Sequence, residues 1–241
     1  RNGEFKLDKS GYIITNAGAR VQGYVPTTIG GTIPTGITSD LKLPTSQGIE
    51  PKKTVGPTAA DPGITLSANL PSKAAITPLA ALPASPLDLT DAQKKYGTSI
   101  NVYDDQGNAV PVRISFVHSA ASEWKMVASV YKEATTTPVA AAHWEHLDAG
   151  TITFDALGKP TTEPNPFTVP VDAVRAGIPS GAVGPIGIGI GGTGASSTLT
   201  QYDADFAVNE LSQTGYGAGE LTSISVNEQG VIMANYSNGE S

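Results

Sequence analysis

Apolar and polar residues alternate at period two through three central stretches: Ser99-Ile100-Asn101-Val102-Tyr103, Val112-Arg113-Ile114-Ser115-Phe116-Val117 and Trp124-Lys125-Met126-Val127-Ala128-Ser129-Val130. A strand turns successive side chains to opposite faces, so this alternation predicts successive strands of a meander. One turn pattern, Asp or Asn, two residues, then Gly, recurs between such runs at Asp8–Gly11, Asp104–Gly107, Asp155–Gly158 and Asn227–Gly230. The Asx side chain bonds the backbone ahead of it, and glycine supplies the positive φ that closes a hairpin with a bulge. Leu199–Asn209 and Leu221–Tyr236 read as further strands, the latter folding back at Asn227–Gly230. Ile186, Ile188 and Ile190 alternate with Gly187, Gly189 and Gly191, a strand with one apolar face and one bare face that another backbone can approach. A single helical turn is predicted at Thr90–Lys95, with Thr90 as its cap.

Between Tyr24 and Gly63 the chain holds Pro26, Pro34, Pro44, Pro51, Pro57 and Pro62, which exclude a continuous helix or central strand and predict an irregular connection or edge strands. The 27 Gly and 18 Pro, with only 6% aromatic residues, suit many strands joined by turns. A length of 241 residues allows one large or two modest domains, and two are expected. The charges suggest how they divide. Residues 1–63 carry seven Lys/Arg against five Asp/Glu, whereas residues 183–241 carry six Asp/Glu and no Lys or Arg. The ends are complementary in sign, a weak hint that they meet in one domain while the middle forms another.

Several function classes fall away. A net charge of −7 and a pI near 4.9 give no electrostatic footprint for nucleic acid or an anionic membrane, so neither is expected as a partner. No cysteine is present, which excludes disulfides and thiolate chemistry. No run approaches the roughly 18 apolar residues of a membrane-spanning helix. The chain starts at Arg1, without Met, inside an expected hairpin, and reads as a fragment.

Candidate chemistry is weak throughout. Gly189-x-Gly191-x-x-Gly194 matches the dinucleotide fingerprint in letters, but Ala195-Ser196-Ser197-Thr198 opens no periodic helix and no βαβ unit surrounds it. His143-Trp144-Glu145-His146, with His118, could hold a metal, yet residues three apart on a strand face opposite ways, and surface or packing histidines are expected. Trp124 and Trp144 are expected to cover a core rather than stack a ligand. Asp104, Asp105, Asp203 and Asp205 form no evident acid pair, since the turn accounts for the first two. No catalytic, cofactor-binding or metal-ligating residue is therefore expected.

The opening Arg1-Asn2-Gly3-Glu4-Phe5-Lys6-Leu7-Asp8-Lys9-Ser10-Gly11-Tyr12, followed by Asn16-Ala17-Gly18-Ala19-Arg20-Val21-Gln22-Gly23-Tyr24, resembles a stretch of bacterial flagellar rod and hook proteins. Ser212-Gln213-Thr214-Gly215-Tyr216-Gly217-Ala218-Gly219-Glu220-Leu221 and Asn235-Tyr236-Ser237-Asn238-Gly239 are similar to the hook branch, as is Val102-Tyr103-Asp104-Asp105-Gln106-Gly107-Asn108 with Glu123-Trp124. The resemblance implies an all-β chain of two β-domains, barrel- or sandwich-like. The inner one would be discontinuous, from residues 1–63 and 183–241, with an outer domain, 64–182, inserted. It further implies a curved helical homopolymer outside the cell that passes motor torque to the filament as a universal joint. Partners would be copies of the chain, with hook cap, rod and hook-filament junction proteins, after export by the flagellar type III apparatus. The family's terminal helices are absent from these residues, and crossings near 58–65 and 178–185 would suit a hinge. Two other readings stay open: a rod or hook-associated protein, and a secreted carbohydrate-binding or adhesin module, whose sign would be Trp124 and Trp144 exposed on one face.

Overall fold

The computed structural model describes residues 5–24, 38–42, 48–54, 63–79, 81–83, 87–132, 135–136, 139–140, 142–162, 167–170, 185–191, 197–226 and 232–240. Along the chain run strands β1 (Phe5–Leu7), β2 (Ile13–Thr15), β3 (Gln22–Gly23), β4 (Ser39–Asp40) and β5 (Gly63–Asn69), helix α1 (Asp91–Lys94), then β6 (Gly97–Tyr103), β7 (Ala109–Ala120) and β8 (Glu123–Lys132). After them come β9 (Thr135–Thr136), β10 (Val139–Ala140), β11 (His143–Phe154), β12 (Pro160–Thr162), β13 (Phe167–Pro170), β14 (Pro185–Gly189), β15 (Leu199–Thr200), β16 (Ala207–Gln213), β17 (Leu221–Val226) and β18 (Ile232–Tyr236). The described residues are all-β apart from one turn of helix, where Thr90 closes the expected cap: its side chain accepts from the Gln93 amide while the Gln93 side chain returns to the Thr90 amide.

By its contacts the chain divides into two units, Arg1–Glu50 with Ala218–Ser241, and Pro51–Gly217. In the smaller, β1 pairs with β2, β3 with β4, and β17 with β18, all antiparallel. Its opening motif has a local physical basis. Asp8 Oδ1 accepts from the Ser10 and Tyr12 amides at 2.8 and 2.9 Å, while the Arg20 guanidinium lies 3.9 Å over the Tyr12 ring and bonds Asp40 at 2.9 Å.

Among the described residues the larger unit holds the short antiparallel pair β9–β10 and two five-stranded sheets. The first has the order β12-β11-β8-β7-β6, antiparallel throughout, so the predicted meander is present in β6, β7 and β8. In the second, β14 pairs with β13, β5 takes β14 and β15 in parallel, and it takes β16 antiparallel. Those pairings draw β14, β15 and β16 into the larger unit together with residues 51–54. The crossings expected near 58–65 and 178–185 lie mostly outside the described residues; Gly63–Thr65 and Pro185 belong to strands.

One apolar core joins the two sheets. Ile64, Leu66, Ala68, Ile186, Ile188 and Ile190 meet Ile114, Phe116, Trp124, Met126, Ala128 and Val130 in a single cluster, each 0–1% exposed. On the opposite face of β7 and β8, Leu79, Leu82 and Leu89 cover Val117 and Val127. That second cover explains why five successive residues, Ile114–His118, are buried where alternation alone predicts three.

Three of the four predicted turns share one geometry. At Asp8, Asp104 and Asp155 the backbone carbonyl accepts from the glycine amide three residues on at 3.0, 3.1 and 3.0 Å. In each, the carboxylate takes the amides two and four residues ahead, and the glycine has φ of 86, 82 and 72°. The fourth, Asn227–Gly230, lies outside the described residues, although β17 and β18 on either side of it pair as expected. Leu199–Asn209 is not one strand. β15 ends at Thr200 and β16 begins at Ala207, because the intervening loop satisfies Asn69, whose amide donates to the carbonyls of Ala204 and Asp205 at 3.3 Å each.

Candidate functional site

Among the described residues, the densest cluster of chemistry-bearing side chains lies where residues 87–94 cross the outer face of β7, β8 and β11. Asp88 receives Arg113 from β7 at 2.5 Å and Lys94 from α1 at 3.1 Å. His146 of β11 puts Nε2 3.4 Å from Asp88 Oδ1, and its Nδ1 lies 2.8 Å from Ser129 Oγ on β8. Arg113 also lies 4.7 Å from the centre of the Trp144 ring, whose edge-on partner is Tyr131 at 5.3 Å. Ser129, His146 and Asp88 thus have the composition of a nucleophilic triad. Access rules that role out: Ser129 is 0% exposed, the His146 side chain 1%, and the carboxylate already holds two cations. The cluster pins residues 87–94 to the sheet.

Its ionisation makes a pH prediction. Partial burial pushes Asp88 up, but bonds from Arg113 and Lys94 and the Arg113 charge outweigh it and bring the carboxyl to about 2. Burial lowers His146, against a smaller opposing pull from the Asp88 charge. A histidine kept neutral in the fold takes up protons more readily once unfolded, so its contribution is present above the ordinary value near 6.5 and is lost as pH falls below it. Asp88 contributes above 3.8 and loses that contribution as pH falls toward 2. Urea midpoints of the larger unit should therefore hold steady from pH 8 to about 7, fall below about 6.5, and fall again below about 4. His146→Gln should remove the first fall alone. At neutral pH Asp88→Asn should cost about 1–2 kcal/mol, less than a fully buried pair because the carboxylate is 36% exposed.

The other residues singled out in sequence separate. Trp124 is 0% exposed in the inter-sheet core, stacked on His118 at 4.5 Å, while Trp144 lies on the sheet's opposite face, so the two offer no common aromatic platform. His143 pairs in register with Lys132 and His146 with Ser129, on opposite faces as expected, and His118 Nδ1 bonds the Ala74 carbonyl at 2.9 Å. Asp104, fully buried, is occupied by its own turn. Asp203 and Asp205 line a groove of about 660 Å³ with Lys73, Lys95, Tyr96 and Phe206, and Asp203 pairs with Lys73. Tyr96 and Asp104 stand at opposite ends of β6, roughly 25 Å apart by strand rise, far beyond the spacing of glycosidase acids. Gly189 closes strand β14, Gly194 lies outside the described residues, and β15 begins at Leu199.

A second polar constellation, unseen in the sequence, lies where the larger unit's chain begins and ends. Lys52 and Tyr216 exchange backbone bonds of 2.9 and 2.8 Å. Thr54, 0% exposed, donates its hydroxyl to Gln213 Oε1 at 2.8 Å and accepts at Oγ1 from the Tyr103 amide at 2.9 Å, while its own amide bonds the Tyr103 carbonyl at 3.0 Å. Gln213 in turn grips Gly215, accepting from its amide at 2.6 Å and donating to its carbonyl at 2.8 Å. A Cβ on Gly215 would stand 2.5 Å from the Thr54 amide nitrogen, so only glycine fits. The signature Ser212-Gln213-Thr214-Gly215-Tyr216 is thus a structural knot. In the smaller unit, a Cβ on Gly219 would stand 2.7 Å from the Asn238 side chain, and Glu220 and Ser237 exchange bonds of 2.9 and 2.8 Å, which accounts for the Tyr236-Ser237-Asn238-Gly239 motif.

Comparison with known proteins places these motifs. The model of the flagellar basal body protein FlaE D2 domain matches residues 69–216. Flagellar hook protein FlgE of Escherichia coli (strain K12) is 26% identical and that of Salmonella typhimurium 28%, each over 99% of this chain and 52% of the relative. FlgE of Helicobacter pylori is 28% identical over 60% of this chain. The chain therefore spans about half the length of the first two relatives. The crystal structure of Helicobacter pylori flagellar hook protein FlgE2 shares the fold, with a TM-score of 0.53 over 98% of this chain and 77% of that one, at 12% identity. With the D2 model spanning well over half of its residues and hook proteins aligning along nearly all of them, the chain belongs to the flagellar hook protein family.

Proposed function

We propose that this chain is part of a structural subunit of the bacterial flagellar hook, a curved helical homopolymer outside the cell that carries motor torque to the filament as a universal joint. The observation that carries the reading is the alignment with flagellar hook proteins over 99% of the chain. The subunit works mechanically rather than catalytically: the triad-like cluster of Ser129, His146 and Asp88 is sealed and serves to pin a segment to the sheet. Its partners are copies of itself, with the hook cap, the rod and the hook-filament junction proteins, and it leaves the cell through the flagellar type III apparatus. Both chain ends belong to an inner domain, and the outer domain is inserted between them.

Each unit closes on one antiparallel pair, Ile49 with Gly219 in the smaller and Lys52 with Tyr216 in the larger. The chain thus passes from one unit to the other twice, at 50–51 and 217–218. Deleting the gene should remove hooks and swimming, and the full-length gene should restore both. A gene lacking the segment for residues 5–240 should restore neither. Curved hooks on the deletion strain would refute the proposal.

A further inference from the structure

We propose that Thr54 is a load-coupling residue, tying the chain that enters the larger unit to both of its sheets at once. The purpose rests on the torque-carrying reading above; the coupling itself is a property of the isolated chain. Residues 51–54 lie in none of the unit's strands and are held by the Lys52–Tyr216 pair and the Thr54 knot. A segment held by single bonds in series peels one bond at a time under tension. Thr54 breaks that series. Its amide and hydroxyl together grip Tyr103 at the end of β6, in the first sheet. The same hydroxyl reaches Gln213 at the end of β16, in the second, across 159 residues of sequence.

Tension entering at residue 51 must then strain bonds to both sheets together. Gln213 and Gly215 complete the device on the departing chain, since Gly215 admits no side chain against Thr54 and lets the two chains approach. A buried hydroxyl can donate once and accept twice, and neighbours on a single strand would satisfy it. Thr54 Oγ1 bridges two strand ends from different sheets, at the point where the chain leaves for the other unit.

The chain has no cysteine, so handles can be placed at will. In optical tweezers at constant force, a tether between Glu50→Cys and Leu157→Cys, the latter site 77% exposed on the β11–β12 turn, loads the entering chain against the first sheet. A second tether, Asp105→Cys to Leu157→Cys, loads the first sheet alone. Thr54→Val should speed detachment on the first tether roughly tenfold and change the second by less than about twofold; Thr54→Ser should restore most of the loss. Equal acceleration on both tethers would make Thr54 an ordinary stabilising residue and overturn the proposal, as would no acceleration on the first. Should Thr54→Val fail to fold, Gln213→Met removes the same bond from the other side, together with the two side-chain bonds to Gly215, and is held to the same pair of outcomes.

Discussion

Replacing Trp124 by alanine is expected to destabilise the larger unit by about 3–5 kcal/mol, the usual cost of deleting a fully buried large aromatic side chain. Trp124 is 0% exposed, meets Tyr96 edge-on at 5.5 Å and stacks on His118 at 4.5 Å. Tyr96 carries the contact onward to Phe206 at 5.8 Å, so the hole would undercut three rings rather than one. Against a total stability of about 5–15 kcal/mol, such a loss populates unfolded chain under mild conditions. Urea unfolding followed by far-UV circular dichroism measures it. With two tryptophans in the chain, the variant's fluorescence reports Trp144 alone and shows whether the outer face of the sheet loosens as well. A loss under about 1 kcal/mol would mean that the two sheets do not share one core.

Gly158→Ala is expected to cost well more than Gly18→Ala. Gly158 and Gly18 both close turns at positive φ, 72 and 82°, and an added methyl pays the left-handed penalty of about 1–2 kcal/mol at either. Their surroundings differ. At Gly18 a Cβ meets nothing within 4 Å, whereas at Gly158 it would stand 2.4 Å from the Gln201 carbonyl oxygen, which is backbone and cannot swing aside as a flexible side chain would. The Gly158 carbonyl also takes the Gln201 amide at 2.9 Å, so displacing the turn breaks a tie between the β11–β12 hairpin and the segment after β15. Gly158→Ala should therefore cost about 3 kcal/mol or more and Gly18→Ala about 1, read from urea midpoints of each unit. Equal losses would show that the close approach at Gly158 is relieved without cost.

Local chemistry was legible in the sequence and distant chemistry was not. The turns at Asp8, Asp104 and Asp155 announce themselves because the Asx carboxylate and the glycine act within five residues. Two further turns of the same backbone form escape that pattern. At Thr15 a hydroxyl replaces the carboxylate, accepting from the Ala19 amide at 3.2 Å. At Tyr236 the first residue makes no such bond, and Asn238 takes the Glu240 amide at 3.1 Å instead. Both show the glycine, Gly18 and Gly239, so a search keyed on glycine three residues after a strand end would have found them.

Long-range pairing left no local mark. Ile186, Ile188 and Ile190 advertise a buried strand, but nothing in their spacing reveals that β14 runs parallel to β5. The uneven charges at the chain ends could not reveal it either, since surface charge reports on solvation more than on pairing. Asp88, Arg113 and His146 read as unrelated polar positions until residues 87–94 cross the sheet, and Thr54 and Gln213 as unrelated until both sheets end beside them. What the sequence did carry across distance was the family resemblance, whose motif residues prove to be structural ties: Tyr12 under Arg20, Gln213 around Gly215, and Asn238 against Gly219.

The central claim is that this chain forms part of the hook. Antibodies raised against the 241-residue chain and carried on gold particles, applied to isolated flagella and viewed by electron microscopy, test it directly. The account predicts gold confined to the short curved segment between rod and filament, at regular density along its length. Gold along the filament, on the rod alone, or on nothing in the flagellum would contradict it.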